Sequence, residues 1–385
     1  MARLGDICEI LNGYAFKSEK YISSGIRIIR IANVQKGYIE DTAPIFYPID
    51  TPDIEKYTLY EDDLLISLTG NVGRVALLKK EFLPAALNQR VACLRLKNGV
   101  PYDKSFLYCF LNSDYFENKC IQTAKGVAQK NMSTEWLKEY EIPDLSLEEQ
   151  REIATVLNKI SELIAARTQQ LSTFDDIVKS RFIELFGDPV LNPYNWDVVT
   201  IGDIVTDVRY GTSRPATEGG KYPYLRMNNL TFDGHLDLSD LKYIDIPENE
   251  IEKCIVRKGD VLFNRTNSIE LVGKTCVFDL EEDMVIAGYI IRVRLNEKVL
   301  PIVLSSYMNS TVLKEQLRSM AKGAVNQANI NAQELQRIKI YLPPLDLQNE
   351  FTTFVEQTDK LKFEVKEALE KLETLKESLM QQYFG

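Results

Sequence analysis

A single histidine, His235, stands in a chain of 385 residues. That leaves almost no room for a histidine-based metal centre. A Ser-His-Asp triad would have to use this one residue, set in a Gly/Asp-rich loop, and a plain loop side chain is the better reading. Cys-x-x-Cys spacing is missing as well. The six cysteines (Cys8, Cys93, Cys109, Cys120, Cys254, Cys276) follow no regular interval. They read as reduced, mostly buried cytosolic thiols, and a zinc site is not expected. No stretch approaches the roughly 18 consecutive apolar residues of a membrane span. Met1-Ala2-Arg3-Leu4-Gly5-Asp6 lacks the apolar core of a signal peptide, so a cytoplasmic location is expected. There is no Walker A sequence, and no carboxylates fall at the spacing of a nuclease or metal site. The acidic pairs Asp62-Asp63 and Glu281-Glu282-Asp283 sit at predicted turns, where solvated charge is the default. The sequence holds no catalytic constellation.

Basic charge is also in short supply. The net charge is −10, which looks wrong for a nucleic-acid binder. Its distribution changes the reading. Residues 1–145, 146–187, 188–345 and 346–385 carry balances of −1, −2, −3 and −4. Two short segments therefore hold more than half of the deficit. The remaining parts are near neutral, and each could present a basic face. The bulk charge argues only against loose, purely electrostatic binding.

What the chain does have is a long stretch that occurs twice. From Ser146 to Gly187, Ile153, Leu157, Ile160, Ile164, Arg167, Leu171, Phe174, Val178, Arg181 and Leu185 fall at alternating steps of four and three. That 3.5-residue repeat predicts a coiled-coil helix. Ser146 with Glu149 reads as a capping box, and Gly187 before Pro189 as a left-handed stop. The pattern returns at Phe351, Phe354, Thr358, Leu361, Val365, Ala368, Leu372, Leu375, Leu379 and Gln382. Two matched long helices in one chain are most simply partners for each other.

The segments before the helices also match. Leu4-Gly5-Asp6-Ile7 answers Ile201-Gly202-Asp203-Ile204 at an offset of 197. Ile26 to Asn33 answers Tyr222 to Asn229, each a strand running into an Asn-bearing turn. Acidic turns feed short strands at Asp62–Gly70 and Lys258–Thr266. Gly73-Arg74 and Gly273-Lys274 follow, then strands near Asn88–Leu96 and Ala287–Leu295. Each half continues with a helical piece, about Lys104 to Ile121 and Val303 to Met320. A polar loop comes next, Lys125-Gly126, Gln129, Asn131 against Lys322-Gly323, Gln327, Asn329. The offset drifts to 200, and a period this long is a duplication rather than a solenoid. The expected divisions are 1–145, helix 146–187, a Pro/Asn linker 188–199, 200–345 and helix 346–385.

Two short motifs invite chemistry. Asn192-Pro193-Tyr194 is similar to the Asn-Pro-Pro-Tyr loop of adenine methyltransferases, but it lacks a proline and sits in the linker. No glycine-rich cofactor turn precedes it. Gly70-Asn71-Val72-Gly73 could clamp a nucleic-acid backbone, but alone the motif is weak and a hairpin turn is the better reading. Recognition is better represented. Arg and Lys can pair with guanine, Asn and Gln with adenine. In the first half, Arg30, Asn33, Arg74, Lys125, Gln129, Lys130 and Asn131 gather in loops. In the second half, Arg214, Arg226, Asn228, Asn229, Arg265, Asn267, Lys274, Lys322, Asn326, Gln327 and Asn329 do so. The competing reading is that the amides satisfy loop backbone groups.

The order of elements resembles the specificity subunit of type I restriction–modification systems over essentially the whole length. The likeness rests on Leu4-Gly5-Asp6-Ile7, Gly70 to Val75, Leu87 to Val91 and the Lys125-to-Asn131 loop. It also rests on the passage from Ile142-Pro143 to Glu149-Gln150 and on Phe186-Gly187-Asp188-Pro189. In the second half, Tyr210 to Ser213, Leu225-Arg226-Met227 and Gly259 to Thr266 carry it. Pro344-Leu345-Asp346-Leu347-Gln348 departs in lacking the Glu-Gln pair.

The resemblance implies an α+β fold: two tandem target-recognition domains of mixed sheet and helix, each followed by a long helix. The helices would form an antiparallel coiled coil through Ile153, Leu157, Ile160, Ile164, Leu171, Phe174, Val178, Leu361, Val365, Leu372 and Leu379. It further implies double-stranded DNA as ligand and no catalysis by this chain. Two modification (methyltransferase) subunits would bring S-adenosylmethionine, and two restriction (motor–nuclease) subunits ATP and magnesium. Helices of ~40 residues span roughly 60 Å, and half-sites one DNA turn apart need about 34 Å, so the helices could act as a ruler. Two other readings stay open. A free-standing adenine methyltransferase with recognition modules would bind S-adenosylmethionine by itself. A coiled-coil adaptor would never retain DNA selectively.

Overall fold

A computed structural model describes residues 2–124, 131–321 and 328–385. Its contacts divide into two units, Met1–Arg167 with Ala368–Gly385, and Thr168–Glu367.

The first unit is built on two four-stranded sheets. One is antiparallel in the order Cys8–Asn12, Val91–Leu96, Leu64–Ser67, Val75–Leu77. The other runs Phe46–Tyr47, Ile26–Ile29, Ala85–Leu87, Thr58–Leu59, with its two central strands parallel. The strands are short and apolar, and Leu64, Leu65, Ile66, Ala85, Ala86 and Leu87 are all buried, as expected of strands covered on both faces. Where the sequence predicts one helix after Lys104 there are two, Lys104–Leu111 and Asp114–Thr123. The break has a local cause. Ser113 accepts from Phe116 N and starts a new helix, while Asp103 caps the earlier one. Gly73, at φ +83°, lets the sheet approach the second helix. A Cβ there would stand 2.7 Å from Cys120 Cβ.

The second unit repeats this topology. Val205–Tyr210, Ile290–Leu295, Val261–Asn264 and Thr275–Val277 form the antiparallel sheet. Lys242–Ile244, Tyr222–Leu225, Met284–Ile286 and Ile255–Val256 form the mixed one, again with its central pair parallel. The helical piece is again two helices, Pro301–Met308 and Thr311–Met320, with Ser310 as the second cap. Gly273, at φ +82°, meets Leu317 as Gly73 meets Cys120.

The two long helices run Leu147–Phe186 and Leu345–Phe384, 40 residues each. Ser146 and Glu149 form the expected capping box, with Ser146 N donating to Glu149 Oε2 at 2.8 Å and Glu149 N to Ser146 Oγ at 3.2 Å. In the first unit the start of one helix meets the end of the other. Ala154 and Leu157 share a core with Phe384, whose ring lies 5.7 Å from Phe106 and 5.4 Å from Phe110. In the second unit the end of the first helix meets the start of the second through Phe182, Phe186 and Phe351, at centroid distances of 5.0 to 5.5 Å.

On the first helix, Leu157 and Ile160 are buried, and Ile153, Ile164, Leu171, Phe174 and Val178 half-buried, all on the face the repeat predicts. The second helix departs from its expected phase. Its inward residues are Phe351, Val355, Thr358, Lys362 and Val365, with Leu372 and Leu379 half-buried, and Leu361 is 49% exposed. The steps there run four-three-four-three from Phe351 instead of three-four. Lys362, not Leu361, takes the inward place, because its ammonium finds Asp175 Oδ1 of the first helix at 2.6 Å. A single charged seam position of this kind fixes register.

Of the acidic turn residues expected to be solvated, Asp62, Glu281, Glu282 and Asp283 are exposed, but Asp63 is buried, as is its counterpart Asp260. Arg95 Nε and Nη2 bond the Asp63 carboxylate at 2.8 and 2.7 Å, and Arg294 holds Asp260 from Nε at 2.9 Å. All six cysteines are free and buried, and burial pushes the Cys8 thiol up to about 12.

Candidate nucleic-acid interface

The loops at one end of each antiparallel sheet share a single backbone frame. In the first unit, Leu68 N donates to Arg90 O at 3.0 Å and Met132 N to Leu68 O at 2.8 Å. In the second, Arg265 N donates to Tyr289 O and Ile330 N to Arg265 O, both at 2.9 Å. The next residue repeats the match. Thr69 Oγ1 donates to Asn131 Oδ1 at 2.9 Å, and Thr266 Oγ1 to Asn329 Oδ1 at 2.8 Å. These pairs tie the polar loop to the sheet.

On this common frame the side chains differ. Strand register sets Asn12 against Tyr210, Leu68 against Arg265 and Arg90 against Tyr289. Arg265 lies over the Tyr210 ring, 4.8 Å from its centroid, and reaches Gly288 O at 3.4 Å. The Tyr210 hydroxyl accepts from Ala332 N at 2.8 Å, which holds the ring. Tyr289 is 50% exposed beside them. Asn12, Gln89, Arg90, Tyr210 and Tyr289 are absent from the candidates the sequence nominates. The signal was available in the aligned Asn88-Gln89-Arg90 and Ala287-Gly288-Tyr289, whose mismatch falls between two matching strands.

The nominated residues separate by burial. Asn33 and Asn229 are buried, and both ends of each amide serve loop backbone. Asn33 Oδ1 accepts from Arg30 N at 2.8 Å, and its Nδ2 donates to Glu40 O at 2.9 Å. Asn229 does the same with Arg226 N and Asp237 O, both at 2.8 Å. They shape the turn and do not face solvent. Lys274 is buried too, with Nζ donating to Met227 O at 2.7 Å, and burial holds its pKa below the ordinary lysine value. None of the three presents its side chain to solvent in this structure.

The rest stand nearer the surface. Arg30 donates to Ala43 O at 3.3 Å and Arg74 to Gln35. Arg226 pairs with Asp240 at 2.6 Å, and Arg214 with both oxygens of Glu250. Asn267 donates to Asn264 Oδ1 at 2.9 Å. Asn131, Asn228 and Asn329 are exposed. Lys125, Gln129, Lys130, Lys322, Asn326 and Gln327 lie outside the described residues. The frame thus gathers Asn131 in one unit, and Arg265, Asn267 and Asn329 in the other, while Arg30, Arg214 and Arg226 belong to the neighbouring mixed-sheet loops.

Both short motifs resolve as turns. Asn192, at φ +43°, exchanges amide bonds with Trp196 at 2.8 and 2.9 Å, and Gly70 to Gly73 joins two strands of one hairpin. Among the described residues, Asp175, Asp233 and His235 are the one set of three potential ligand residues whose side-chain ligand atoms lie within 4.8 Å of one another.

A family model described as the type I restriction modification DNA specificity domain matches residues 1–173 and 193–376. The chain is 22% identical over 408 residues to the specificity subunit of the type I restriction enzyme EcoKI of Escherichia coli K12, covering all of this chain and 88% of that one. It is 24% identical to the EcoBI specificity subunit of Escherichia coli, covering 99% and 84%. In fold it is similar to the S subunit of a type I system from M. genitalium, with a TM-score of 0.59 at 17% identity, covering 100% and 95%. A second structure, solved for complex assembly and conformational transition of the type I system, gives a TM-score of 0.57 at 18% identity, covering 100% and 96%.

Proposed function

The chain belongs to the type I restriction modification DNA specificity family, and on that premise we propose that it is the sequence-reading subunit of a type I restriction–modification complex. Residues 1–145 and 200–345 each read one half of a split DNA target. The carrying observation is one backbone frame dressed with different side chains, Asn12, Leu68 and Arg90 against Tyr210, Arg265 and Tyr289. A shared frame docks both domains in the same manner, and different side chains choose different bases, so the target is bipartite and asymmetric.

Methylation and cleavage fall to partners. Two modification subunits supply S-adenosylmethionine, and two motor–nuclease subunits supply ATP and magnesium. The long helices offer them outward apolar side chains, among them Val156, Leu163, Ile177, Ile183, Leu361 and Phe363. With a net charge of −10, the chain by itself binds DNA weakly and gains selectivity beside basic partners. Its place is the cytoplasm; no helix among the described residues is long and apolar enough to cross a membrane.

The test is a map of methylated adenines in DNA from cells expressing this chain with its cognate methyltransferase. Two unlike half-sites at a fixed spacing are expected. A palindromic target, or unchanged methylation, would overturn the reading.

A further inference from the structure

The one histidine of the chain lies against two carboxylates. Its loop is closed on itself: Thr231 N and Oγ1 donate to His235 O at 2.9 and 3.0 Å, and His235 N returns to Thr231 Oγ1 at 2.9 Å. Gly234, at φ +91°, turns the tip against Asn309, where a Cβ would stand 2.5 Å from Nδ2. The backbone carrying Asp233 and His235 is therefore held before any ligand arrives. Asp175, on the long helix Leu147–Phe186, completes the group, and the ligand atoms of all three lie within 4.8 Å of one another.

The duplicate loop gives an independent comparison. Gly37, at φ +90°, stands 197 residues before Gly234, flanked by Lys36 and Tyr38. Lys36 pairs with Asp114 and, at 2.7 Å, with Glu117, which ties that loop to its own domain. The same offset places Thr311 and Lys314 at the partner positions, and Lys314 donates to Gly273 O instead. The second loop has exchanged a domain-bound lysine for an Asp-x-His pair that faces the helix.

We infer that Asp175, Asp233 and His235 bind one divalent transition-metal ion of the zinc class, which fastens the 231–235 loop to the long helix. One imidazole nitrogen with carboxylate oxygens suits zinc, nickel or cobalt, whereas calcium and magnesium prefer oxygen alone. Ligand bonds of about 2.0–2.2 Å require the donor atoms to close toward one another, and the Asp233 carboxylate, which bonds Thr231 in its own loop, would have to turn toward the metal. Lys362 belongs to the account, since its Nζ takes Asp175 Oδ1 at 2.6 Å and Asp359 Oδ1 at 3.7 Å. It leaves the other Asp175 oxygen for the metal, and its charge keeps the affinity moderate. With neutral imidazole, the two carboxylates outweigh the ammonium, so a divalent cation meets net negative charge. Sequence alone hides the site because Asp175 lies 60 residues before His235.

The full chain, prepared without a polyhistidine tag, tests this with zinc chloride as the probe. Because His235 is the sole histidine, the ring signals of a histidine-labelled sample report its coordination directly. One zinc per chain is expected by calorimetry, with a shifted imidazole signal and a raised melting temperature. His235→Ala and Asp233→Asn should each weaken binding at least tenfold while melting as the wild type does without zinc; Asp175→Asn should weaken binding as well, but it also deprives the buried Lys362 of its partner and lowers the zinc-free melting temperature. An imidazole signal unmoved at millimolar zinc, or binding that survives all three substitutions, would overturn the assignment. Neither DNA nor partner subunits enter the measurement, so its outcome is separate from that of the recognition reading.

Discussion

Gln150 and Gln348 occupy the same place in the two repeats and make the same three hydrogen bonds. Gln150 Nε2 donates to Pro101 O and Leu145 O at 3.1 and 2.8 Å, and its Oε1 accepts from Asp103 N at 2.9 Å. Gln348 repeats this with Lys298 O and Pro343 O at 3.1 and 2.8 Å, and with Leu300 N at 2.9 Å. Both side chains are fully buried. Each amide locks the start of a long helix to the loop ahead of the domain's own helices. Replacing either with leucine strands buried backbone groups, at about 2–4 kcal/mol per site. The two share no partner, so urea unfolding of the double variant should show nearly additive losses.

A second duplicated contact gives a sharper energetic test. Asp260 accepts from Arg257 N at 2.9 Å while it holds Arg294, and Asp63 accepts from Tyr60 N at 2.8 Å while it holds Arg95. The carboxylates are buried but the guanidiniums are more than a quarter exposed, so removing one partner should cost less than the roughly 3–5 kcal/mol of a fully buried pair. Asp260→Ala should still destabilise, since it also frees Arg257 N. Asp260→Ala combined with Arg294→Leu should lose clearly less than the two single changes summed. Full additivity in a double-mutant cycle would contradict a coupled pair.

Lys314 makes stability depend on pH in an unusual direction. Burial, with Arg318 and Lys274 nearby, lowers its pKa from 10.5 to about 7. Between those values the unfolded chain holds a proton that the folded chain lacks, so this group's contribution rises with pH across the window and is flat below it. Lys314→Met removes the penalty and leaves Gly273 O bonded by Thr275 Oγ1 at 3.1 Å. At pH 7 the variant should melt several degrees above wild type, and the difference should vanish toward pH 10.5. A constant difference across that range would refute the lowered pKa.

The sequence disclosed the duplication, several of the strands and the cap at Ser146, because each is a local pattern of turn residues, apolar runs and capping pairs; the order of strands within the sheets was not legible. It misplaced Leu361, since a 3.5-residue repeat with apolar residues at neighbouring positions allows two phases. Only the Lys362–Asp175 pair selects between them. It read Asp63 as solvated because its partner Arg95 is 32 residues away. It nominated Asn33 and Asn229 by residue type, where the backbone turn they close decides their role. Tyr210, Arg90 and Tyr289 escaped because exposure at a shared frame becomes visible only when the two halves are superposed by register.

If the two domains read independently, exchanging residues 1–145 for another domain of the family should alter one half-site and spare the other. The loop frame bound to Thr69–Asn131 leaves with the exchanged segment, whereas the Thr266–Asn329 frame stays. Methylation mapping of the assembled complex checks this directly. A change in both half-sites would mean that the domains are coupled.

Arg265 offers the finest test of which side chain selects a base. Its guanidinium is half-buried and stacked on Tyr210, so it is already oriented and loses little freedom on meeting a guanine edge. Arg265→Ala removes the charge and the fork but keeps the backbone bonds to Tyr289 and Ile330. A bidentate base contact is worth about 1–3 kcal/mol, so affinity of the assembled complex should fall roughly tenfold or more. Discrimination should relax at one base pair of one half-site. Arg265→Lys should recover charge without recovering selectivity, because a lysine cannot present the planar fork. If Arg265 contacts only phosphate, the alanine variant weakens binding equally for all sequences, the lysine variant restores it, and the salt slope falls by about one.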